Sequence, residues 1–165
     1  MKKKTFLLFL LFLFIFCGCG KDEQLEQYKK DITNFNSNIS AIATRMDQID
    51  TTTETAITDV LDCLREMQFQ FSLLAEMEVP EAFASVESLA DEASTYMTQA
   101  VTLYNEVFTA EEYSEEKTTA ASENYSRAMT RLSYISSLLQ GELPEGKNIV
   151  ITKEEMLDFE PVTEE

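Results

Sequence analysis

Residues 25–49, LEQYKKDITNFNSNISAIATRMDQI, decide the fold. Leu25, Tyr28, Ile32, Phe35, Ile39, Ile42, Met46 and Ile49 recur at alternating spacings of three and four. That is a heptad seam, which places every apolar side chain on one narrow edge of a helix. The other faces are polar, with Asn34, Asn36, Ser37, Asn38 and Ser40 prominent, so the helix must lie against neighbours along that edge alone. No Gly or Pro interrupts the chain from Lys21 to Val79.

Downstream, the apolar signal fades at Asp50-Thr51-Thr52-Thr53-Glu54, where Thr51 and Glu54 match a capping box. A turn there predicts a second helix over about 52–78, with a stripe of Ile57, Val60, Leu61, Leu64, Met67, Phe71 and Leu74. Val79-Pro80 stops it, because the residue before proline is pushed out of the α region. Pro80 suits the first position of a third helix, about 80–109, carrying Phe83, Val86, Ala90, Ala93, Met97, Ala100, Tyr104 and Val107. Thr109 and Glu112 match another capping box, so a fourth helix is expected over about 110–140, with Ala121, Tyr125, Ala128, Leu132, Ile135 and Leu139 inward. Gly141 then suits the C′ position. Heptad seams and short connections predict an all-α, antiparallel up-down-up-down four-helix bundle over 25–141. The competing layout has three helices, the first two fused into one rod of about 82 Å at 1.5 Å per residue. Residues 142–165 hold eight acids against two Lys and read as a flexible acidic tail, although Ile149-Val150-Ile151 could pair or pack.

The 165 residues carry 13 Lys+Arg against 30 Asp+Glu, a net charge of −17, and no His or Trp. Such acidity argues against nucleic-acid partners, which need Lys and Arg to neutralise phosphates. The missing His removes the commonest general base and the Glu-x-x-His ligand pairs of di-iron bundles. No D-x-D-x-D-G loop supports a calcium site. No catalytic residue, metal or cofactor is expected, and the chain reads as something other than an enzyme.

The N-terminus reads as an address. Lys2, Lys3 and Lys4 precede an unbroken apolar run from Phe6 to Phe16. Eleven residues span only about 17 Å as a helix, short of the ~30 Å hydrocarbon core, so the run suits a signal-peptide h-region. An uncleaved signal anchor and a plain secretory signal are the alternatives. Gly18-Cys19 closes the segment, and here the sequence resembles bacterial lipoproteins, whose lipobox ends in a small residue before the lipidated Cys. Cys17 fits less well, because bulky Phe16 precedes it. The resemblance covers residues 1–20. It implies a signal peptide over 1–18, cleavage before Cys19, and a diacylglycerol and acyl chain on Cys19, enough for stable anchoring. It also implies a lipidated tether over 19–24 and an extracytoplasmic place on the cell membrane, or on an outer membrane if the cell has one. The mature chain would carry ten Lys+Arg against thirty Asp+Glu over 147 residues, a charge of −20, with Cys63 as its one unmodified cysteine. Cys63 falls on the apolar stripe and reads as a small core residue.

Three features bear on partners. Phe69, Leu73 and Met77 recur every four residues about 170° from the main stripe of helix two, at 100° per residue. A helix apolar on both sides is either centrally buried or exposes a partner-binding patch. Secondly, residues 46–116 hold 17 acids and one cation, Arg65. They form either a solvated face or a surface for a basic partner or divalent cations. Their densest cluster, Glu111, Glu112, Glu115 and Glu116, also suits a helix N-terminus. Finally, Arg127 and Arg131 should pair with Glu123 or with neighbouring acidic helices. The expected function is therefore that of a membrane-anchored binding or structural module of the bacterial cell envelope. It would hold a protein or cell-wall partner, or else serve as a passive spacer or coat.

Overall fold

The heptad seam of residues 25–49 is the inner edge of the first helix. In the computed structural model, which describes residues 19–142, α1 spans Cys19–Asp47. Tyr28, Ile32, Phe35, Ile39 and Ile42 are buried along it, while Leu25, Met46 and Ile49 are half-buried at its ends. Residues 19–24 are helical and continuous with the seam.

The chain then leaves the helix, which rules out the fused rod. Asp50 Oδ1 accepts hydrogen bonds from the Thr52 amide at 2.9 Å and the Thr52 hydroxyl at 2.7 Å. The Thr53 hydroxyl donates to the Asp50 carbonyl at 2.9 Å. Side chains that bond their own backbone this way compete with helix, and three consecutive β-branched threonines weaken it further. The capping box expected from Thr51 and Glu54 therefore does not form, and α2 spans only Ala56–Ala75. Ile57, expected in the core, is half exposed in the first turn of α2, where Ala56 is buried instead.

Pro80 is the N-cap of a short 3₁₀ turn, Glu81–Phe83, rather than the first residue of a long helix, and α3 spans Ala84–Thr109. The second expected capping box also fails. Thr109 is still helical and its hydroxyl donates to the Asn105 carbonyl at 2.7 Å. Helix α4 starts five residues later than expected, spanning Glu115–Leu139, and Ser114 caps it by accepting the Lys117 amide at 3.3 Å. Its C-terminus ends as expected. Gly141 has φ 75°, its amide bonds to the Leu138 carbonyl, and the Glu142 amide bonds to the Ser137 carbonyl. Those two bonds make a Schellman motif.

The four helices form an all-α bundle in which consecutive helices run antiparallel. Cross-helix pairs show the direction: Arg45–Glu66 and Asn38–Gln70 between α1 and α2, Arg65–Asn105 and Gln68–Thr98 between α2 and α3, Glu106–Lys117 and Glu92–Arg131 between α3 and α4. Numbers rise along one helix as they fall along the next. Among consecutive helices the closest-packed pair is α3–α4, and the most sparsely packed is α1–α2. Composition explains the difference. Ala90, Ala93, Ala100, Ala121 and Ala128 are buried on α3 and α4 and let the backbones approach, whereas α1 meets α2 through Ile and aromatic side chains. The Phe35 ring meets Phe71 edge-on at 5.5 Å, and Tyr28 stacks on Phe83 at 6.5 Å. Phe71, Met67, Leu74, Met97, Ile135 and Val86 fill the centre. Among the described residues no polar or charged side chain is buried, and no helix is long and apolar enough to cross a membrane.

Candidate functional site

The period of α2 separates two phenylalanines that stand two positions apart. Phe71 points inward and is fully buried; Phe69 points outward and is 58% exposed. Leu73, one turn further on, is 37% exposed, and Met77 is half-buried against the margin of the core, just past the end of α2. Of the two fates open to this second apolar face, burial between neighbouring helices is the one the bundle does not give to Phe69 and Leu73. Phe69 keeps more than half of its surface in solvent, and Leu73 rather more than a third. The neighbouring groove between α1 and α2 is polar. Arg45 pairs with Glu66, the Asn38 amide donates to Gln70 at 2.9 Å, and the Gln24 amide donates to Glu78 at 3.0 Å. The face is thus a short apolar strip beside a polar border, the layering of a small interface.

The remaining candidates are dispersed. Cys63 is a buried free thiol among core side chains, as its place on the stripe implies. Arg127 pairs with Glu123 at 3.6 Å and Arg131 with Glu92 of α3 at 2.7 Å, both as expected. Their guanidinium groups also lie over the Tyr96 ring at 5.7 and 5.4 Å, so they bind α4 to α3 and leave little for a ligand. Glu111 and Glu112 are exposed in the α3–α4 connection. Glu115 and Glu116 open α4, where the helix dipole favours them, and with Thr119, Ala120 and Glu123 they line an open surface hollow. No three His, Cys, Asp or Glu converge on a metal-sized site among the described residues.

Protonation shifts follow packing. Burial pushes the Tyr28 phenol from 10.0 up to about 12. Burial also raises Tyr125, with Tyr104 and Asp47 adding to the effect. The hydroxyl and amide of Thr52 hold the Asp50 carboxylate below its ordinary range, and the hydrogen bond to Glu66 raises Arg45. Among the described residues these shifted groups lie apart from one another.

Cys19, the expected lipidation site, is the first described residue and is helical. The signal segment 1–18, the tail beyond Glu142 and its Ile149-Val150-Ile151 segment lie outside the described residues. Sequence reasoning missed Phe108 and Tyr113, which are exposed at 38% and 73%. Ser114, followed at once by Glu115 and Glu116, was the available signal that Tyr113 precedes a helix rather than lying in one. Comparison with protein-family models, curated proteins and solved structures finds no match for this chain.

Proposed function

We propose that this chain is a lipid-anchored, extracytoplasmic lipoprotein of the bacterial cell envelope. In this reading its helical bundle is a contact module rather than an enzyme. The observation that carries the reading is the Gly18-Cys19 junction behind a basic start and an apolar run too short to span a bilayer. The bundle is compatible with it at a second level, because the exposed side chain of Phe69 stands well along the helices from Cys19. By register with Asn38 and Gln70, Phe69 lies some 20 residues along α1, about 30 Å from Cys19 at 1.5 Å per residue. A partner of the Phe69 face would therefore be held clear of the headgroups, in the periplasm or wall. The acidic surface would keep the domain off anionic lipid.

Metabolic labelling with an alkyne fatty acid tests the anchor. The full chain should label and fractionate with membranes, whereas Cys19→Ala should abolish labelling and leave the signal segment uncleaved or the domain released. Labelling that survives Cys19→Ala would remove the lipoprotein reading.

A further inference from the structure

Five large hydrophobic side chains are exposed among the described residues, and three of them share one end of the bundle. Ile57 lies in the first turn of α2, Phe108 in the last turn of α3, and Tyr113 in the connection to α4. Their exposures are 50%, 38% and 73%. Because consecutive helices are antiparallel, this end also holds the C-terminus of α1. It therefore lies 28 residues from Cys19, about 42 Å at 1.5 Å per residue.

Folding does not demand these side chains here. Phe108 extends the inner stripe of α3 one turn past Tyr104, on which its ring stacks at 6.0 Å. Tyr113 occupies a five-residue connection where a polar residue would serve the turn equally well. Tyr, in particular, supplies large contact area at low conformational cost and is enriched where interfaces draw their energy.

Around the three stand nine exposed acids: Asp47, Asp50, Glu54 and Asp59 on one side, Glu106, Glu111, Glu112, Glu115 and Glu116 on the other. The one cation in those two stretches, Lys117, is taken by Glu106 at 2.7 Å. That charge selects the occupant. A second copy would bring like ends together, and an anionic bilayer or a nucleic acid would be repelled in the same way. The acids are spread around the apolar side chains rather than converging, since no three of them form a metal-sized group among the described residues. Exposed apolar side chains interspersed with carboxylates at one end of a bundle suit a protein partner.

We propose that this end of the bundle docks a basic polypeptide segment, one whose apolar side chains are flanked by Lys or Arg. Ile57, Phe108 and Tyr113 receive the apolar side chains, and the surrounding carboxylates receive the cations. This surface is separate from the Phe69 face and rests neither on that face nor on the lipid anchor.

The test uses the full chain in detergent and two fluorescent peptides of equal charge. One alternates Lys with Leu and Phe; the other replaces each Leu and Phe by Ser. Anisotropy titrations, corrected by a detergent-only control, should show the apolar peptide binding at least about tenfold more tightly, the scale of one or two interface anchors. Tyr113→Ser should weaken that peptide by about fivefold or more, and Ile57→Ser should weaken it further. Glu111→Lys with Glu112→Lys should weaken both peptides, and Phe69→Ser should change neither. Equal affinity for the two peptides, no binding of either, indifference to Tyr113→Ser, or loss with Phe69→Ser would each overturn the proposal. Tyr113 lies outside any helix, so its variant decides the matter even if Ile57→Ser impairs folding, which circular dichroism reports.

Discussion

Phe69 and Phe71 share a helix and a side chain and differ in their surroundings, one in solvent and the other at the centre of the core. Truncating a fully buried aromatic removes its transfer energy and leaves a cavity, so Phe71→Ala should cost about 3–5 kcal/mol in urea unfolding. Phe69→Ser should stay within roughly 0.5 kcal/mol of the parent, because an exposed side chain with no partner has little to lose on folding. Equal losses for the two would mean that Phe69 is covered. Tyr28 offers a second check. Its pKa is raised from 10.0 to about 12 in the folded chain, so the unfolded chain releases this proton first as pH rises. The neutral phenol's contribution is complete below pH 10.0 and is lost as pH climbs through about 12. Stability measured across that window should fall, and Tyr28→Phe should flatten the fall. The inward fate of Tyr28, Phe71 and Cys63 was legible in the sequence, because a period of 3.5–3.6 fixes which side chains share an edge. The exposure of Ile57 was not. A first-turn residue can follow the stripe and still have no neighbour beside it.

The helices themselves were legible and their starts were not. Thr51…Glu54 and Thr109…Glu112 both satisfy the capping-box pattern, but in a chain this rich in Thr and Glu that pattern recurs by composition. At the first, the hydrogen bonds of Asp50 to Thr52 hold a turn instead; at the second, α3 runs through Thr109 and Ser114 caps α4. Ser114→Ala should therefore lower stability by about 1 kcal/mol, while Thr51→Ala should leave it nearly unchanged. The C-terminal end was easier to read, since Gly141 sits at φ 75°, where any other residue is strained. Gly141→Ala should cost about 1–2 kcal/mol for that reason. The α3–α4 pair carries a prediction of its own. Ala93 and Ala128 are fully buried where the helix backbones come closest, so Ala128→Leu should overpack the seam and lower stability by about 1–3 kcal/mol. A thermal or urea melt checks each of these variants against the parent.

At the scale of the molecule, the choice between one long rod and two antiparallel helices turned on eight residues, 48–55. Apolar periodicity alone could not decide it, because a heptad seam reads the same in a straight rod and in a hairpin of helices. What the charge does was partly legible. The 17 acids of residues 46–116 are all exposed and repel one another, and added salt screens that repulsion at about 10 Å in 0.1 M. The melting temperature of the full chain should accordingly rise between low and physiological NaCl; a fall would mean that ion pairs such as Arg131–Glu92 outweigh the repulsion. The uncovered faces could not be read from periodicity, since a second apolar face is compatible with burial and with exposure until the neighbours are placed. The central claim is that a tethered bundle works by contact through such a face. Its most direct test is a photo-crosslinking residue placed at Leu73 in the full chain and activated in intact cells. The account predicts one recurrent adduct at Leu73 that disappears with Phe69→Ser and is absent when the crosslinker sits at exposed Ser126. No recurrent adduct at Leu73, or the same adducts at both positions, would contradict it and leave a spacer without a partner.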